Sequence, residues 1–331
     1  MLSRPYRNLH FRVSTPALHR THTVPASFGS AVQVFAEKSW ATRPSYFLLT
    51  EKKHSNAIIP PMKNETIHNL QLPKIGFGTW TIGGEGTADP TRDVRSLTAL
   101  RSALDLGYTH FDTAEGYAAG HSEELVGQAV RASGLAREAL FITTKVSPEH
   151  LQYDDALHSC ENSLRRLGMD YIDLYLIHWP RVGMKLEDTF RALNKLVKDG
   201  KVRHLGVSNF NLKLLKQAKA LSETPLLTNQ VSYSLPDRTY VENGVLAYCQ
   251  ENDILLTAYT PVKRRNIKSN KTLQSVARAR GATPQQIALA WLVQQPRVIA
   301  IPMSSNPQHQ AENLAAADIV LTESEMDQLG R

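Results

Sequence analysis

The chain has 331 residues, long enough for one large domain, and its 42% hydrophobic and 21% charged residues are ordinary for a globular protein. The net charge of +7 is unevenly placed, because residues 1–61 hold eight Lys/Arg against two Asp/Glu and the remainder holds 30 against 29. No apolar run approaches the roughly 20 residues that span a bilayer, and no basic stripe or finger motif indicates nucleic-acid binding. We therefore expect neither a membrane protein nor a nucleic-acid-binding protein.

Residues 1–61 form a basic leader without sustained periodicity, rich in Arg, His, Ser, Thr and Pro. One interpretation is a disordered segment or a mis-assigned start, with Met62 as the natural first residue. Another is an organellar transit peptide, which is typically rich in Arg and poor in acidic residues. We predict that the folded domain covers residues 62–331, and that the protein is cytoplasmic, or organellar if the leader is a transit peptide.

From residue 66 the pattern becomes regular. Residues 67–72 predict a hairpin that turns near Asn69. Eight short apolar runs then predict strands, because they are rich in β-branched residues and bounded by turn residues. The predicted strands are 75–79, 110–113, 141–145, 174–178, 206–208, 227–231, 255–259 and 298–301.

Longer segments between and after these strands have helical periodicity. The predicted helices are 93–106, 122–132 with Ser122 as N-cap, 155–167, 186–198, 211–221, 241–251, 273–280, 284–294, 307–316 and 323–329. Eight strands that alternate with helices predict a single (β/α)₈ TIM barrel with an N-terminal cap hairpin. A doubly wound sheet is the alternative, but its glycine fingerprint fails after the first strand, where Asp89 takes the place of the third glycine.

Cys160 and Cys249 both fall in predicted helices, far apart in the sequence. Two such thiols provide neither a disulfide framework nor a metal-binding set. We expect them to be small buried hydrophobic side chains in a reducing compartment.

Chemistry-bearing side chains follow the carboxyl ends of consecutive strands, which form the active-site mouth of a barrel. Asp112 ends the second strand and Tyr117 lies just beyond it, Lys145 ends the third, and His178 ends the fourth. Each could be merely structural, but together they suit carbonyl reduction. Tyrosine is a weak acid with a pKa of about 10, and we expect the Lys145 ammonium to lower it. Asp112 would hold the lysine, and His178 would donate to the carbonyl oxygen.

Three segments at these strand ends resemble the signature of the aldo-keto reductase family. They are GYTHFDTAEGY at 107–117, DLYLIHWP at 173–180 and GVSNF at 206–210. The resemblance covers residues 66–329 and implies a monomeric (β/α)₈ barrel that reduces a small-molecule carbonyl substrate with NADPH. Asp112, Tyr117, Lys145 and His178 match the four catalytic residues of the family.

The same resemblance implies a set of cofactor-binding residues. Ser208, Asn209 and Gln230 match the residues that hold the nicotinamide carboxamide, and Tyr259 matches the aromatic residue that stacks on the ring. Thr260 stands where the family usually has the serine that contacts the pyrophosphate. The matching positions on the adenosine side, after the last strand, are Ser304, Glu312 and Asn313, with Ser305 and His309 beside them.

This chain departs from the family at two positions that matter for cofactor choice. The usual pattern after the eighth strand is Ile-Pro-Lys-Ser, with an arginine six residues after the lysine, and both cations bind the 2′-phosphate. Here Met303 replaces the lysine and His309 replaces the arginine. Because a phosphate group is best bound by Arg or Lys, we expect weak discrimination against NADH.

The sequence also predicts features of the substrate pocket. Trp80 and Trp179 are predicted to form apolar walls, and the short loop 181–185 and the early end at Arg331 predict an open pocket. The alternative function on this fold is a nucleotide-binding regulatory subunit that resembles the β subunits of potassium channels, since fold alone does not determine function.

Overall fold

The computed structural model describes residues 63–262, 267 and 269–330, so the predictions about residues 1–61 lie outside the described residues. The first described element is a hairpin in which β1 (Asn64–Ile67) pairs antiparallel with β2 (Leu70–Pro73). His68 and Asn69 form the two-residue turn, both with positive φ, as the type I′ turn of a tight hairpin requires. The hairpin side chains Ile67 and Leu72 pack against strand residues such as Leu227, so the hairpin covers one end of the sheet.

The main sheet has eight parallel strands whose spatial order follows the chain order. They are β3 (Phe77–Gly78), β4 (His110–Asp112), β5 (Phe141–Val146), β6 (Ile172–Ile177), β7 (Val202–Ser208), β8 (Leu226–Ser232), β9 (Leu255–Tyr259) and β10 (Val298–Ala300). Ile75 forms a parallel bridge to Ala300, and the Gly76 amide donates to the Ala300 carbonyl at 2.8 Å. These contacts close the sheet, and the predicted barrel is confirmed.

Apart from the predicted helix 241–251, the helices of the described residues lie within about two residues of their predicted bounds. They are α1 (Asp93–Asp105), α2 (His121–Ser133), α3 (Tyr153–Leu167), α4 (Leu186–Lys198), α5 (Leu212–Leu221), α6 (Thr239–Glu242), α7 (Val245–Glu251), α8 (Lys271–Arg280), α9 (Pro284–Val293), α10 (Pro307–Ala315) and α11 (Glu323–Gly330). Short 3₁₀ turns occupy Pro90–Arg92, Tyr117–Gly120, Arg137–Ala139, Pro148–His150 and Ala316–Asp318.

Two helix predictions are wrong in detail. The predicted helix 241–251 is broken between α6 and α7, because Gly244 there has a φ of 77°. Ser122 is not the N-cap of α2, which begins at His121 after the left-handed Gly120. The Ser122 hydroxyl is buried instead, and it donates to Thr79 Oγ1 at 3.0 Å. This bond ties the start of α2 to the segment that follows β3.

Burial in the described residues agrees with a packed barrel surrounded by helices. Cys160 and Cys249 are free and fully buried. Burial raises the pKa of each thiol to about 12, so both are inert at neutral pH, as expected of buried cysteines. Within the described ranges, no helix is long and apolar enough to cross a membrane.

Candidate active site

A buried ion pair anchors the predicted catalytic group at the carboxyl ends of β4 and β5. Lys145 is fully buried, and its Nζ donates to Asp112 Oδ1 at 2.6 Å and to the Thr113 carbonyl at 2.7 Å. Burial lowers the pKa of Lys145, but Asp112 and Tyr117 raise it by more, so the pKa lies above its usual value. Lys145 is therefore an ammonium group at neutral pH, held in a fixed position.

Tyr117 and His178 lie over this pair, one on the loop after β4 and the other directly after β6. Lys145 Nζ is 3.3 Å from the Tyr117 hydroxyl. The rings of Tyr117 and His178 meet edge to face, with centroids 5.5 Å apart. Up to 66 residues separate these four side chains in the sequence, and the parallel pairing of β4 with β5 and of β5 with β6 brings them together at one end of the sheet.

The pKa values of the His178 imidazole and the Tyr117 phenol are shifted in opposite directions. Burial and the Lys145 charge both lower the pKa of His178, to about 3, so its imidazole is neutral near pH 7. Burial raises the pKa of Tyr117, and Lys145 only partly offsets that effect. The expectation of a lowered phenol pKa is therefore wrong for this state of the site, because burial of the phenol outweighs the nearby ammonium.

The predicted nicotinamide-binding residues lie beside this group, at the ends of β7, β8 and β9. Gln230 Nε2 donates to Asp112 Oδ2 at 2.7 Å, and the Ser208 hydroxyl donates to the Gln230 carbonyl at 2.8 Å. Asn209 Nδ2 donates to the His178 carbonyl at 3.0 Å, and the Tyr259 hydroxyl donates to Asn209 Oδ1 at 2.8 Å. The two sets of residues thus form one connected hydrogen-bond network.

Backbone strain is concentrated at this mouth. Asn209 and Thr260 have φ values of 63° and 49°, and Ala118 and Ala119, next to Tyr117, have 49° and 53°. Positive φ is costly for residues other than glycine, least for Asn and most for β-branched residues such as Thr. Such strain is often found at functional sites, where the surrounding contacts hold it in place.

The predicted adenosine-side residues lie on the loop after β10 and on α10. Ser304 is buried, and its hydroxyl accepts from the Asn306 amide at 3.1 Å. Glu312 accepts from Gln308 Nε2 at 3.0 Å. The Ser305 hydroxyl bonds to α1 instead, where it accepts from Arg95 Nη2 at 2.8 Å.

One cavity of about 920 Å³ connects the two ends of this site. It extends past Tyr117 and His178 to His309, Glu312 and Asn313, and the half-exposed Trp80 and Trp179 stand at its opening. Ser305 and Lys145 do not line it, since Ser305 faces Arg95 and Lys145 is buried behind Tyr117 and Asp112. The full set of predicted residues on its wall is Trp80, Asp112, Tyr117, His178, Trp179, Ser208, Asn209, Gln230, Tyr259, Thr260, Ser304, His309, Glu312 and Asn313.

Thr283 and Gln285 also line the cavity, although the sequence pattern did not indicate them. They open α9, and α9 runs back toward the start of β10, so its first residues lie at the carboxyl end of the barrel. The Thr283 capping box with Gln286 marked this helix start in the sequence. Nothing in that motif indicated a place in the site, because the place depends on the closure of the barrel.

The residues present fit a nicotinamide nucleotide. The Oε1 atom of buried Gln230 accepts no hydrogen bond from any residue that the structure describes, so it can accept one from a carboxamide. Tyr259 offers a ring whose orientation is held by Asn209. In the described part of the chain, no cluster of His, Cys, Asp and Glu could hold a metal ion.

Comparisons with known proteins agree with this geometry. The family model described as "Aldo/keto reductase family" matches residues 74–331. Methylglyoxal reductase YeaE of Escherichia coli is 35% identical over 269 residues, covering 80% of this chain and 92% of that protein. Glyoxal reductase of Bacillus subtilis is 36% identical over 266 residues, covering 80% and 90%.

Solved structures give the same result. A thermostable aldo-keto reductase crystallised with the inhibitor epalrestat is 44% identical, with a TM-score of 0.78, and the match covers 81% of this chain and 99% of that one. An aldo/keto reductase from Klebsiella pneumoniae in complex with NADP and acetate is 37% identical, with a TM-score of 0.73 and coverage of 81% and 94%. The chain therefore belongs to the aldo/keto reductase family and is an oxidoreductase.

Proposed function

We propose that this protein reduces the aldehyde or ketone group of a small molecule to an alcohol, with Tyr117 as proton donor. The observation that carries the proposal is the network of Asp112, Lys145, Tyr117 and His178, which faces a single cavity beside residues suited to a nicotinamide. The relatives described above are reductases, which supports an enzyme rather than the regulatory subunit considered as the alternative.

The nicotinamide nucleotide, when bound, supplies the hydride that no side chain can provide. Tyr117 is protonated at neutral pH and can give its proton to the carbonyl oxygen. Lys145, 3.3 Å away, then stabilises the phenolate that remains. Asp112 keeps the lysine charged and in place, and the neutral His178 has one ring N–H that can orient the carbonyl oxygen.

The cofactor residues support use of both nicotinamide nucleotides. Ser208, Asn209, Gln230 and Tyr259 would hold the nicotinamide end, which NADPH and NADH share. The Klebsiella relative binds NADP, and we propose NADPH as the preferred cofactor here. NADH would also be used, because Met303 and His309 stand on the cavity wall where the family has two cations.

Two relatives support small substrates with two adjacent carbonyl groups, and the exposed tryptophans leave the cavity open to such molecules. The tryptophans at the opening, Trp80 and Trp179, are 62% and 45% exposed, so they give a wide apolar entrance. The Trp80 ring meets Tyr117 edge to face, with centroids 5.5 Å apart. Two of the curated relatives are a methylglyoxal and a glyoxal reductase, and we propose this class of 2-oxoaldehyde for the present chain. All proposed residues belong to one chain, so the proposed monomer has a complete site.

The test is Tyr117→Phe, assayed with methylglyoxal and NADPH. The variant keeps the ring that packs on Trp80 and His178 but loses the acidic proton. We expect turnover to fall by about 10²–10⁴-fold, with NADPH affinity within about twofold of the wild-type value.

Tyr153→Phe is the matched control, because Tyr153 packs under Arg191 and does not line the cavity. It should keep the wild-type rate. Near-normal turnover in Tyr117→Phe would show that Tyr117 is not the proton donor. A wild-type protein without activity on any aldehyde, ketone or 2-oxoaldehyde would contradict the proposed function itself.

A further inference from the structure

The loop between β10 and α10 has lost the residues expected to neutralise a 2′-phosphate. Met303 is partly buried and lies near Thr81, whose hydroxyl is 3.8 Å from its sulfur. His309 is exposed on α10. A phosphate monoester carries nearly two negative charges at neutral pH and is bound most strongly by Arg or Lys. If NADPH is the preferred cofactor, a cation must come from elsewhere in the fold.

Arg95, on α1, is the cation that reaches this loop. Its Nη2 donates to the Ser305 hydroxyl at 2.8 Å, although the two residues are 210 positions apart in the sequence. Ser305 directly follows Ser304 and precedes His309 by four positions, and both of those residues line the cavity. The Arg95 guanidinium and Ser305 do not line the cavity wall themselves, but they lie next to its adenosine end, at the surface beside Ser304.

The Arg95 charge is available, unlike that of its neighbour one turn earlier. Arg92 is paired with Glu85 at 3.2 Å and with Asp89 at 3.0 Å. Among the residues that the structure describes, none forms an ion pair with Arg95, which has only a hydrogen bond to a neutral hydroxyl. A charged acceptor forms a stronger hydrogen bond with a guanidinium than a hydroxyl does, so a phosphate can replace Ser305 as a partner or share the guanidinium with it.

A buried glutamine fixes α1 against this loop. Gln310 is fully buried, and its Nε2 donates to the Ala99 carbonyl of α1 at 3.0 Å and to the Ser304 carbonyl at 2.8 Å. The Tyr108 hydroxyl donates to the Gln310 carbonyl at 2.9 Å. Arg95 lies one helical turn before Ala99, so its backbone is held in a fixed place relative to Ser304 and Ser305.

We propose that Arg95, together with the Ser305 hydroxyl, forms the subsite for the cofactor 2′-phosphate and determines how strongly this enzyme prefers NADPH to NADH. The inference rests on the proposed function, because it assigns residues to the cofactor of that reaction. Arg95 supplies, from α1, the positive charge that the family has at the positions of Met303 and His309.

The experiment measures binding rather than turnover. NADPH and NADH are titrated against the full chain by fluorescence, and adenosine 2′,5′-bisphosphate and adenosine 5′-monophosphate serve as probes that differ only in the 2′-phosphate. The wild type should bind NADPH about tenfold more tightly than NADH. Arg95→Gln should lose most of this preference and most of the affinity for the bisphosphate, while its NADH affinity stays within about twofold.

Arg101→Gln is the matched control, since Arg101 is an exposed residue of the same helix and its loss removes the same charge. It should leave the ratio of the two affinities unchanged. Equal wild-type affinities for NADPH and NADH, or an unchanged ratio in Arg95→Gln, would overturn this inference and leave the proposed reductase intact. Failure of the wild type to bind either nucleotide would overturn both.

Discussion

Replacing Asp112 by asparagine tests the energetics of the buried ion pair under the site. The side chains of Lys145 and Asp112 are 0% and 1% exposed, and their Nζ and Oδ1 atoms are 2.6 Å apart. Asparagine keeps the shape and one acceptor but removes the charge. In the wild type Gln230 Nε2 donates to Asp112 Oδ2. In the variant the asparagine amide nitrogen would take that place, so two hydrogen-bond donors would face each other. A buried charge left without its partner costs about 3–5 kcal/mol, so we expect a loss of about 3 kcal/mol in the free energy of unfolding near pH 7.

The sign of the pH dependence follows from Lys145. In the wild type its folded pKa is raised, so its stabilising effect is complete below the unfolded pKa of about 10.4 and is lost only as pH rises through the folded pKa. In Asp112→Asn, burial still lowers the pKa of Lys145, but the Asp112 charge that raised it most is gone. The pKa of Lys145 in the folded variant therefore falls below its value in the unfolded chain. The unfolded chain then binds the extra proton, and the stability of the variant should rise by up to about 1.4 kcal/mol per pH unit.

Urea unfolding of both proteins at about pH 7 and about pH 9 measures this effect. The stability difference between wild type and variant should shrink clearly at the higher pH. Asp105→Asn, at an exposed position at the end of α1, is the control and should have little effect at either pH. A difference for Asp112→Asn below about 1 kcal/mol, or one that is the same at both pH values, would refute the reasoning that burial governs Lys145.

Two further predictions concern the cofactor loop and the leader. Met303→Lys with His309→Arg places two cations on the cavity wall and should tighten NADPH about 10–100-fold more than NADH; parallel fluorescence titrations check this, and an equal effect on both nucleotides would contradict it. A chain that starts at Met62 should keep the Tm and the specific activity of the full chain, because residues 1–61 lack core-forming periodicity. A large drop in Tm by calorimetry would show that the leader is part of the folded domain.

The sequence by itself determined the order of strands and helices, because burial on a strand or on a helix face imposes a period that is visible locally. It also predicted which side chains stand at the strand ends, including Asp112, Tyr117, Lys145 and His178. The helix break at Gly244 and the burial of Ser122 were not predictable in the same way. The first depends on the backbone conformation of one residue, and the second on Thr79, which is distant in the chain.

Only the tertiary structure decided which of these residues touch and what their charges are. The pKa of Tyr117 depends on the balance between its burial and the distance to the Lys145 charge. Neither can be derived from the residues that neighbour Tyr117 in the sequence. Gln285 reaches the cavity and Arg95 reaches Ser305 because barrel closure brings α9, α1 and the loop after β10 to the same end. Local periodicity carries no information on such contacts, since they join segments up to 210 residues apart.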